Sequence, residues 1–359
     1  MIAGTVGFIT SPAKQRVRFS FFPTEIWKRM KTVHLHLGMP KTGTTFLQTR
    51  CFPHLEGVSY QDKDIVQLLN RVIYSNPVML DLNSVRDEAD GLLNRVKKDR
   101  LLISQERLFG DMLRNYQDNV YLTGCLKVIF PKAKLIIVVR RQDDLVESIY
   151  KQSLQSYCYQ KLNSFLNYRH KTFADALDQH GLPNIDVKQI NLYGYVRNYV
   201  EHFGKDNVTV LPYELLRRDQ TAFLNRLAVA ISVEPFQPAV HHEENRSYSW
   251  LSCRIALVLN RFVRVEGDGS RVLQFIPNKP LSRLLRKKPA EGGLDKILRA
   301  INRRLTLRHV LQNGVDSVVY VRRNLISKKK RERIMEFHRE TNARLDREFN
   351  LDLKLYGYY

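Results

Sequence analysis

The stretch HLHLGMPKTGTTFLQ, residues 34–48, joins an apolar run to a turn of small residues and then to a helix-like segment. Gly38 and Gly43 keep the glycine spacing of the phosphate-binding loop G-x-x-x-x-G-K-[ST], but Thr44 stands where that loop has its lysine. The lysine lies inside the turn instead, at Lys41. The stretch therefore predicts a strand, a turn that binds an anion and a helix, with the lysine placed differently from that of the usual triphosphate loop.

The chemistry of the turn follows from its side chains. A turn beyond the carboxyl end of a strand directs backbone N–H groups at an anion. Lys41 adds a full positive charge, and Gly43 lets the backbone approach a ligand closely. The hydroxyl groups of Thr42, Thr44 and Thr45 can cap the helix or bond to phosphate oxygens.

Composition sets the class of protein and of partner. The chain has 359 residues, of which 43% are hydrophobic, so it can bury a large α/β core. Its net charge of +22 favours anionic partners: a nucleotide, an acidic glycan, an anionic lipid or a nucleic acid. Charge by itself does not choose among them.

The cysteines and the hydropathy indicate the compartment. Four cysteines occur without a C-x-x-C spacing, so the sequence predicts neither a zinc site nor a disulfide framework. We find no secretion signal and no apolar window long enough to span a membrane. The expected location is the cytoplasm, with a peripheral position at the inner membrane face as the second option.

Apolar β-rich runs alternate with segments of helical periodicity, which is typical of a parallel sheet covered by helices. The sequence predicts an α/β, three-layer, P-loop-like fold with a central parallel sheet and a C-terminal helical basic cap. The predicted strands are 33–37, 101–104, 134–140 and 208–211, and the predicted helices are 62–75, 144–157 and 189–203. The predicted regions are an N-terminal arm (1–30), a core (31–250) and a helical C-terminal region (251–359) that completes the domain.

Two charged runs are given a structural interpretation. The run SKKKRER, residues 327–333, is interpreted as the solvated start of a helix rather than a dedicated binding patch. The run His241-His242-Glu243-Glu244 is interpreted as an irregular polar segment, since adjacent ligands rarely converge on one ion. No metal site is predicted.

A second anion site is predicted in KLIIVVRRQDDLVESIYKQ, residues 134–152. An apolar strand ends at Arg140, and a helix begins near Asp144, which places Ser148 about one turn into that helix. A guanidinium fork and a hydroxyl group can then face one ligand, as a second phosphate would require.

Together the two stretches resemble the sulfotransferases that use 3′-phosphoadenosine 5′-phosphosulfate (PAPS). In that family a P-K-[ST]-G-T-T loop binds the 5′-phosphosulfate, and an arginine followed eight residues later by a serine binds the 3′-phosphate; the match is to Pro40 through Thr45, Arg140 and Ser148. The form of the loop is most similar to bacterial members. The resemblance covers roughly residues 32–250.

The resemblance implies further contacts with the donor. NVTVLPYELLRRD, residues 207–219, is similar to the family's strand followed by Tyr-Glu, which implies that Tyr213 contacts adenine. Phe46 stands where cytosolic members carry a tryptophan stacked on adenine, and its ring keeps a stacking face. The family's Arg-Lys-Gly phosphate element is not found, and residues 255–325 match nothing.

The implied reaction is in-line transfer of SO₃ through a loose transition state, without a required metal ion. Lys41 would neutralise the oxygen that leaves the sulfur as PAP departs, and the turn would hold the phosphate. Glu106, two residues beyond a predicted strand, is the expected general base, and His36 is the rival.

The resemblance implies a hydroxyl acceptor on a carbohydrate or glycolipid, with small phenols or amines as the second choice. The C-terminal region 251–359 is expected to supply the acceptor site, and the basic segment 281–308 offers peripheral contact with a membrane. Two other functions stay open from the residues: a P-loop nucleotide kinase, and a protein that binds polyanions without catalysis. No nucleic-acid module is recognised.

Overall fold

The structure is a computed structural model, which describes residues 31–156, 158, 160–167, 185–239, 247–260, 264–265, 271–272 and 307–359. Several predicted features lie outside these residues. They are the N-terminal arm (1–30), the His241–Glu244 run, and most of the basic segment 281–308, on which membrane contact is predicted.

Among the described residues, five parallel strands form the central sheet, in the order β2-β3-β1-β4-β5. They are β1 Thr32–Gly38, β2 Val58–Tyr60, β3 Arg100–Ser104, β4 Lys134–Val139 and β5 Val208–Pro212. The four predicted strands are confirmed. Strand β2 was not predicted because three residues at a sheet edge carry too short a pattern.

Helices connect and cover the strands. The main ones are α1 Thr44–Phe46, α2 Lys63–Tyr74, α3 Leu82–Arg95, α4 Asn119–Ile129, α5 Gln142–Gln155, α6 Leu192–Phe203, α7 Tyr213–Arg218, α8 Gln220–Ile231, α9 Trp250–Leu259 and α10 Lys328–Phe349. A π-helical turn, Leu47–Cys51, continues α1 without a break.

The predicted helices are confirmed, with shifted ends. Helix α2 begins at Lys63 because the Asp62 side chain accepts hydrogen bonds from two backbone N–H groups of the first turn. Helix α6 begins at Leu192 because the Asn191 side chain accepts a hydrogen bond from the backbone N–H of Gly194. Helix α5 begins at Gln142, two residues before the predicted start, so Ser148 lies nearly two turns into it.

Alternation along the strands divides the core into two apolar layers, one on each face of the sheet. On one face Leu35, Ile103 and Ile137 pack with the helices that include α4 and α10. On the other, Leu102, Ile136 and Val138 pack with α8 and the turn after α1. A sheet buried on both faces is the predicted three-layer α/β fold.

The strand order leaves a crevice at the carboxyl ends of the strands. From β1 the chain crosses to β2 and β3 on one side, whereas β4 is followed by β5 on the other. The loops after β1 and β4 therefore diverge at their carboxyl ends and leave a crevice between them, as in other open α/β sheets. In the part of the chain that is described, no helix is both long and apolar enough to cross a bilayer.

The charged run 327–333 is only partly a solvated helix start, so that interpretation is wrong for Arg331. Lys328 is 92% exposed, but the Arg331 side chain is 11% exposed. Its Nη1 lies 2.9 Å from an oxygen of Asp143 and 2.7 Å from one of Asp144, and its Nη2 bonds to Glu147. A local sequence pattern could not predict these contacts, because the three carboxylates lie on α5, about 185 residues away along the chain.

The network favours the ionised form of Asp144. Burial by itself would raise the pKa of Asp144, but the hydrogen bond from Arg331 and the charges of Arg141 and Arg331 outweigh burial and lower it. A buried arginine among three carboxylates thus ties the start of α10 to α5.

We expect Arg331→Ala to lower the free energy of unfolding at pH 7 by on the order of 3 kcal/mol, because it leaves buried carboxylates without their cation. The contribution of Asp144 to this loss is present above about pH 4 and disappears as the pH falls through its lowered pKa. Urea unfolding followed by circular dichroism measures both. Lys328→Ala, on the same helix but exposed, should change the free energy by less than about 0.5 kcal/mol; equal effects of the two variants would contradict this account.

Candidate active site

The turn after β1 reverses the chain through three residues with positive φ: Gly38 at 85°, Lys41 at 68° and Gly43 at 83°. Lys41 is the exception among them, since a side chain disfavours this conformation. Hydrogen bonds to β4 and within the turn fix its shape. The Met39 N–H donates to Val138 O over 2.8 Å, and Thr42 Oγ1 donates to Met39 O over 2.5 Å.

Close neighbours add to the positive φ in favouring glycine at both positions. A Cβ on Gly43 would lie 2.9 Å from Leu216 Cδ2, and one on Gly38 would lie 3.1 Å from Glu106 Cβ. The turn therefore packs directly against Glu106 on one side and against α7 on the other.

Arg140 follows β4 and reaches across to the same turn. Its Nη1 donates to Lys41 O over 2.7 Å, and its guanidinium carbon lies 4.8 Å from the centre of the Tyr213 ring. Its neighbour Arg141 turns away and pairs with Asp143, with 2.7 Å between Nε and Oδ1. The two adjacent arginines thus differ: Arg140 lies at the crevice, and Arg141 supports the structure.

A cavity of about 780 Å³ opens at this edge of the sheet. Nine of the predicted site residues line it: Lys41, Gly43, Thr44, Thr45, Phe46, Glu106, Arg140, Ser148 and Tyr213. Thr42 is fully buried, and its hydroxyl is used to hold the turn. The tertiary structure thus assembles in one cavity residues that are up to 172 positions apart, from Lys41 to Tyr213.

The cavity is strongly basic. Among its described lining residues are eight cationic side chains and three carboxylates. The cations are Lys41, Arg140, Lys151, Arg217, Arg308, Arg322, Arg323 and Arg331, and the acids are Glu106, Asp144 and Glu147. Such a lining fits a ligand with several negative charges.

Lys41 and Glu106 affect each other electrostatically. Burial raises the pKa of Glu106, although a hydrogen bond with Thr44 and the charge of Lys41 oppose the rise. Burial also lowers the pKa of Lys41; the charge of Glu106 opposes this, and Arg140 and Arg308 add to it. A carboxyl group with a raised pKa beside a cation in a cavity is the type of group that can accept a proton near neutral pH.

His36 lies elsewhere. It is fully buried, its ring centre is 5.2 Å from that of Phe52, and its Nδ1 is 2.7 Å from Ser104 Oγ. Burial lowers the pKa of His36 to about 3. It is not among the described residues that line the cavity.

Ser104 connects His36 to the position of Glu106. Its backbone oxygen accepts hydrogen bonds from the Nε2 atoms of Gln48, over 3.0 Å, and Gln61, over 2.8 Å. The next residue, Gln105, donates its N–H to His36 O over 3.0 Å. These bonds fasten the end of β3, from which Glu106 projects.

Other lining residues were not predicted from the sequence. Gln152 and Gln155 follow Ser148 along the same face of α5, at four and seven residues, and this periodicity could have identified them. Tyr248, Trp250, Arg308, Arg322 and Arg323 reach the cavity from C-terminal segments that matched no motif, so no local signal pointed to them.

The fold and the cavity define an α/β protein with a basic cavity at the switch point of its sheet. A family model described as the sulfotransferase domain matches residues 34–242, more than half of the chain. The chain therefore belongs to the sulfotransferase family, whose members use PAPS as the sulfuryl donor. This membership selects sulfuryl transfer over the kinase and the non-enzymatic alternatives.

Similar solved structures carry the same description. A sulfotransferase from Alicyclobacillus acidocaldarius is 15% identical, with 72% of this chain and 97% of that chain covered and a TM-score of 0.39. A mouse sulfotransferase complexed with PAP is 16% identical, over 79% and 89% of the two chains, with a TM-score of 0.27. A sulfotransferase domain from the curacin biosynthetic pathway is 13% identical, over 86% and 96%, with a TM-score of 0.32. No curated protein matches the chain.

Proposed function

We propose that this sulfotransferase transfers the sulfuryl group of PAPS to a hydroxyl group of a carbohydrate or glycolipid. The observation that supports the proposal most directly is the convergence of Lys41, Glu106 and Arg140 on one basic cavity. Each group has a distinct task in moving SO₃ between two oxygens: a cation for the leaving oxygen, a base for the entering one and an anchor for the donor.

Lys41 is assigned to the leaving oxygen. In a loose, in-line transfer, negative charge builds on the oxygen between phosphorus and sulfur. An ammonium group held at that place stabilises the transition state more than the ground state, and so it raises the rate. Thr44 and Thr45 line the cavity next to Lys41 and are assigned to the 5′-phosphate.

Glu106 is assigned as the general base, in preference to His36. It lines the cavity, and its raised pKa strengthens it as a proton acceptor. His36 is enclosed in the apolar layer, and a residue there would have to move to meet an acceptor.

The nucleoside end is assigned to the other side of the cavity. Arg140 and Ser148 would bind the 3′-phosphate, and the rings of Tyr213 and Phe46 would contact adenine. Arg322 and Arg323 line the cavity too, and we assign to them the further charge that the Arg-Lys-Gly element supplies elsewhere in the family.

A polar acceptor fits the rest of the cavity. Gln155 is 9% exposed and lines the cavity, and its Nε2 has no hydrogen-bond partner among the residues that the structure describes. A buried amide donor without a partner favours a ligand that offers an oxygen. Gln152 and Lys151 lie beside it, so this region presents polar groups of the kind that bind sugar hydroxyls rather than the apolar wall that a small phenol would need.

We expect the protein to bind PAP without divalent metal, because Lys41 and the neighbouring arginines supply the positive charge. Calorimetry with PAP, ATP and AMP in the presence of a chelator measures this. Incorporation of labelled sulfate from PAPS into a panel of neutral and acidic oligosaccharides and small phenols measures the reaction. Strict dependence on Mg²⁺, or a preference for ATP over PAP, would contradict the donor assignment; sulfation of phenols alone would contradict the acceptor class.

We expect Glu106→Gln to lower kcat by about 10²-fold or more, as removal of a general base does. A base acts when it is deprotonated, so kcat/KM of the wild type should rise with pH through the pKa of Glu106, which burial raises. The variant should lose this acidic limb. If Glu106→Gln kept the wild-type rate and limb, the role would pass to another group, with His36 as the first candidate.

We expect Gln155→Leu to raise the KM of the acceptor about tenfold, because a site built to hydrogen-bond a hydroxyl group loses its donor. The KM of PAPS should stay within twofold of the wild-type value. Gln117→Leu, at an exposed position outside the cavity lining, is the matched control. An equal change in the KM of PAPS and of the acceptor would show that Gln155 does not act on the acceptor.

A further inference from the structure

The catalytic candidate Lys41 has a backbone conformation that its own sequence disfavours. Its φ of 68° is left-handed, a region that residues with a Cβ seldom adopt without outside support. The direction of the side chain follows from this backbone. Something must therefore hold Lys41 in place if its ammonium group is to stay aimed at the cavity.

The outside support comes from Arg140. Its Nη1 donates to the Lys41 carbonyl oxygen over 2.7 Å, across the crevice between β1 and β4. The guanidinium group is itself held, since it lies 4.8 Å from the centre of the Tyr213 ring. Tyr213 also packs under the turn, because a Cβ on Gly43 would lie 3.3 Å from its Cε2.

One guanidinium group can hold the turn and an anion at the same time. Nη1 donates to the carbonyl oxygen of Lys41. The edge formed by Nε and Nη2 is a separate side of the planar guanidinium group, so it does not take part in that bond. Nε has no hydrogen-bond partner among the residues described. That edge has the fork geometry that binds two oxygens of a phosphate.

We propose that Arg140 is a positioning residue for Lys41 as well as an anchor for the donor. It holds the turn in the left-handed conformation that aims the ammonium group, and its other edge binds the 3′-phosphate. The inference rests on the proposed function for the identity of the donor. It adds that Arg140 affects the chemical step, which an anchor of the 3′-phosphate alone would not do.

Ligands without a 3′-phosphate separate the two roles. AMP and adenosine 5′-phosphosulfate cannot meet the phosphate-binding edge of Arg140, but they still need the turn to hold their 5′ group. If Arg140 positions the turn, Arg140→Ala should weaken AMP binding about fivefold to tenfold. It should also lower kcat at saturating PAPS by about tenfold, the factor that loss of one charge-assisted hydrogen bond produces.

The experiment combines calorimetry of AMP and PAP with kcat at saturating PAPS and with turnover of adenosine 5′-phosphosulfate. Arg218→Ala is the matched control, since it removes the same charge from an exposed site on α7 outside the cavity lining. It should leave AMP affinity and kcat within twofold of wild type. Circular dichroism and thermal unfolding establish that both variants are folded.

Arg140→Lys covers the case in which the alanine variant does not fold. Lysine keeps the charge but is a point donor without two separate edges, so it cannot serve the turn and the phosphate together. We expect this variant to keep a larger fraction of the wild-type PAP affinity than of the wild-type kcat. If it keeps the same fraction of both, the positioning role is overturned.

The inference is overturned if Arg140→Ala weakens PAP binding alone and keeps wild-type AMP affinity and kcat at saturating PAPS. Failure of the proposed function looks different. In that case the wild-type protein itself would neither bind PAP nor transfer sulfate.

Discussion

The turn between β1 and α1 has to reverse the chain in the six residues from Gly38 to Gly43, and the rest of the site depends on this constraint. Both ends are fixed, one by the parallel ladder with β3 and β4 and the other by the helical run that starts at Thr44. Three left-handed residues make the reversal, two of them glycines and the third Lys41. Because the turn is so short, the lysine side chain is carried on a rigid backbone instead of a long loop.

Electrostatics explains how so many cations can share one cavity. Each carboxylate at its edge is close to a cation: Glu106 is beside Lys41, Asp144 and Glu147 are bonded to Arg331, and Glu147 also pairs with Lys151 over 3.0 Å. The remaining excess of positive charge faces the space where a donor with two phosphate-type groups would lie. An anionic ligand would thus relieve repulsion among the lining side chains, which gives binding an electrostatic driving force beyond the individual hydrogen bonds.

The C-terminal residues take part in the site by fixing its supports. Gln142, at the start of α5, and Asn342 on α10 exchange two side-chain hydrogen bonds of 2.8 Å and 3.1 Å. The hydroxyl of Tyr358 donates to Glu214 over 2.7 Å, and Glu214 in turn accepts the N–H of Arg141 over 3.1 Å. The loops after β4 and β5 are therefore held by residues more than 140 positions further along the chain.

Local patterns in the sequence predicted four of the five central strands, three of the helices and the two stretches to which anion binding is assigned. Hydrophobic periodicity marks buried strands, and the residues of the turn and of Arg140 through Ser148 each lie within one strand–helix unit, so short windows contain all the information. The family resemblance added Tyr213 and Phe46 to the predicted site, as residues that contact adenine.

Only the tertiary structure decided which of these groups meet and in what state. In the sequence Glu106 is the expected base and His36 the rival. In the structure His36 is buried against Phe52, whereas Glu106, just past the end of β3, lines the cavity. The sequence predicts Arg331 to be part of a solvated helix start, but packing of α10 on α5 buries it among carboxylates. Contacts between distant segments set burial, and burial sets both pKa and access, so neither property can be read from a window of neighbouring residues.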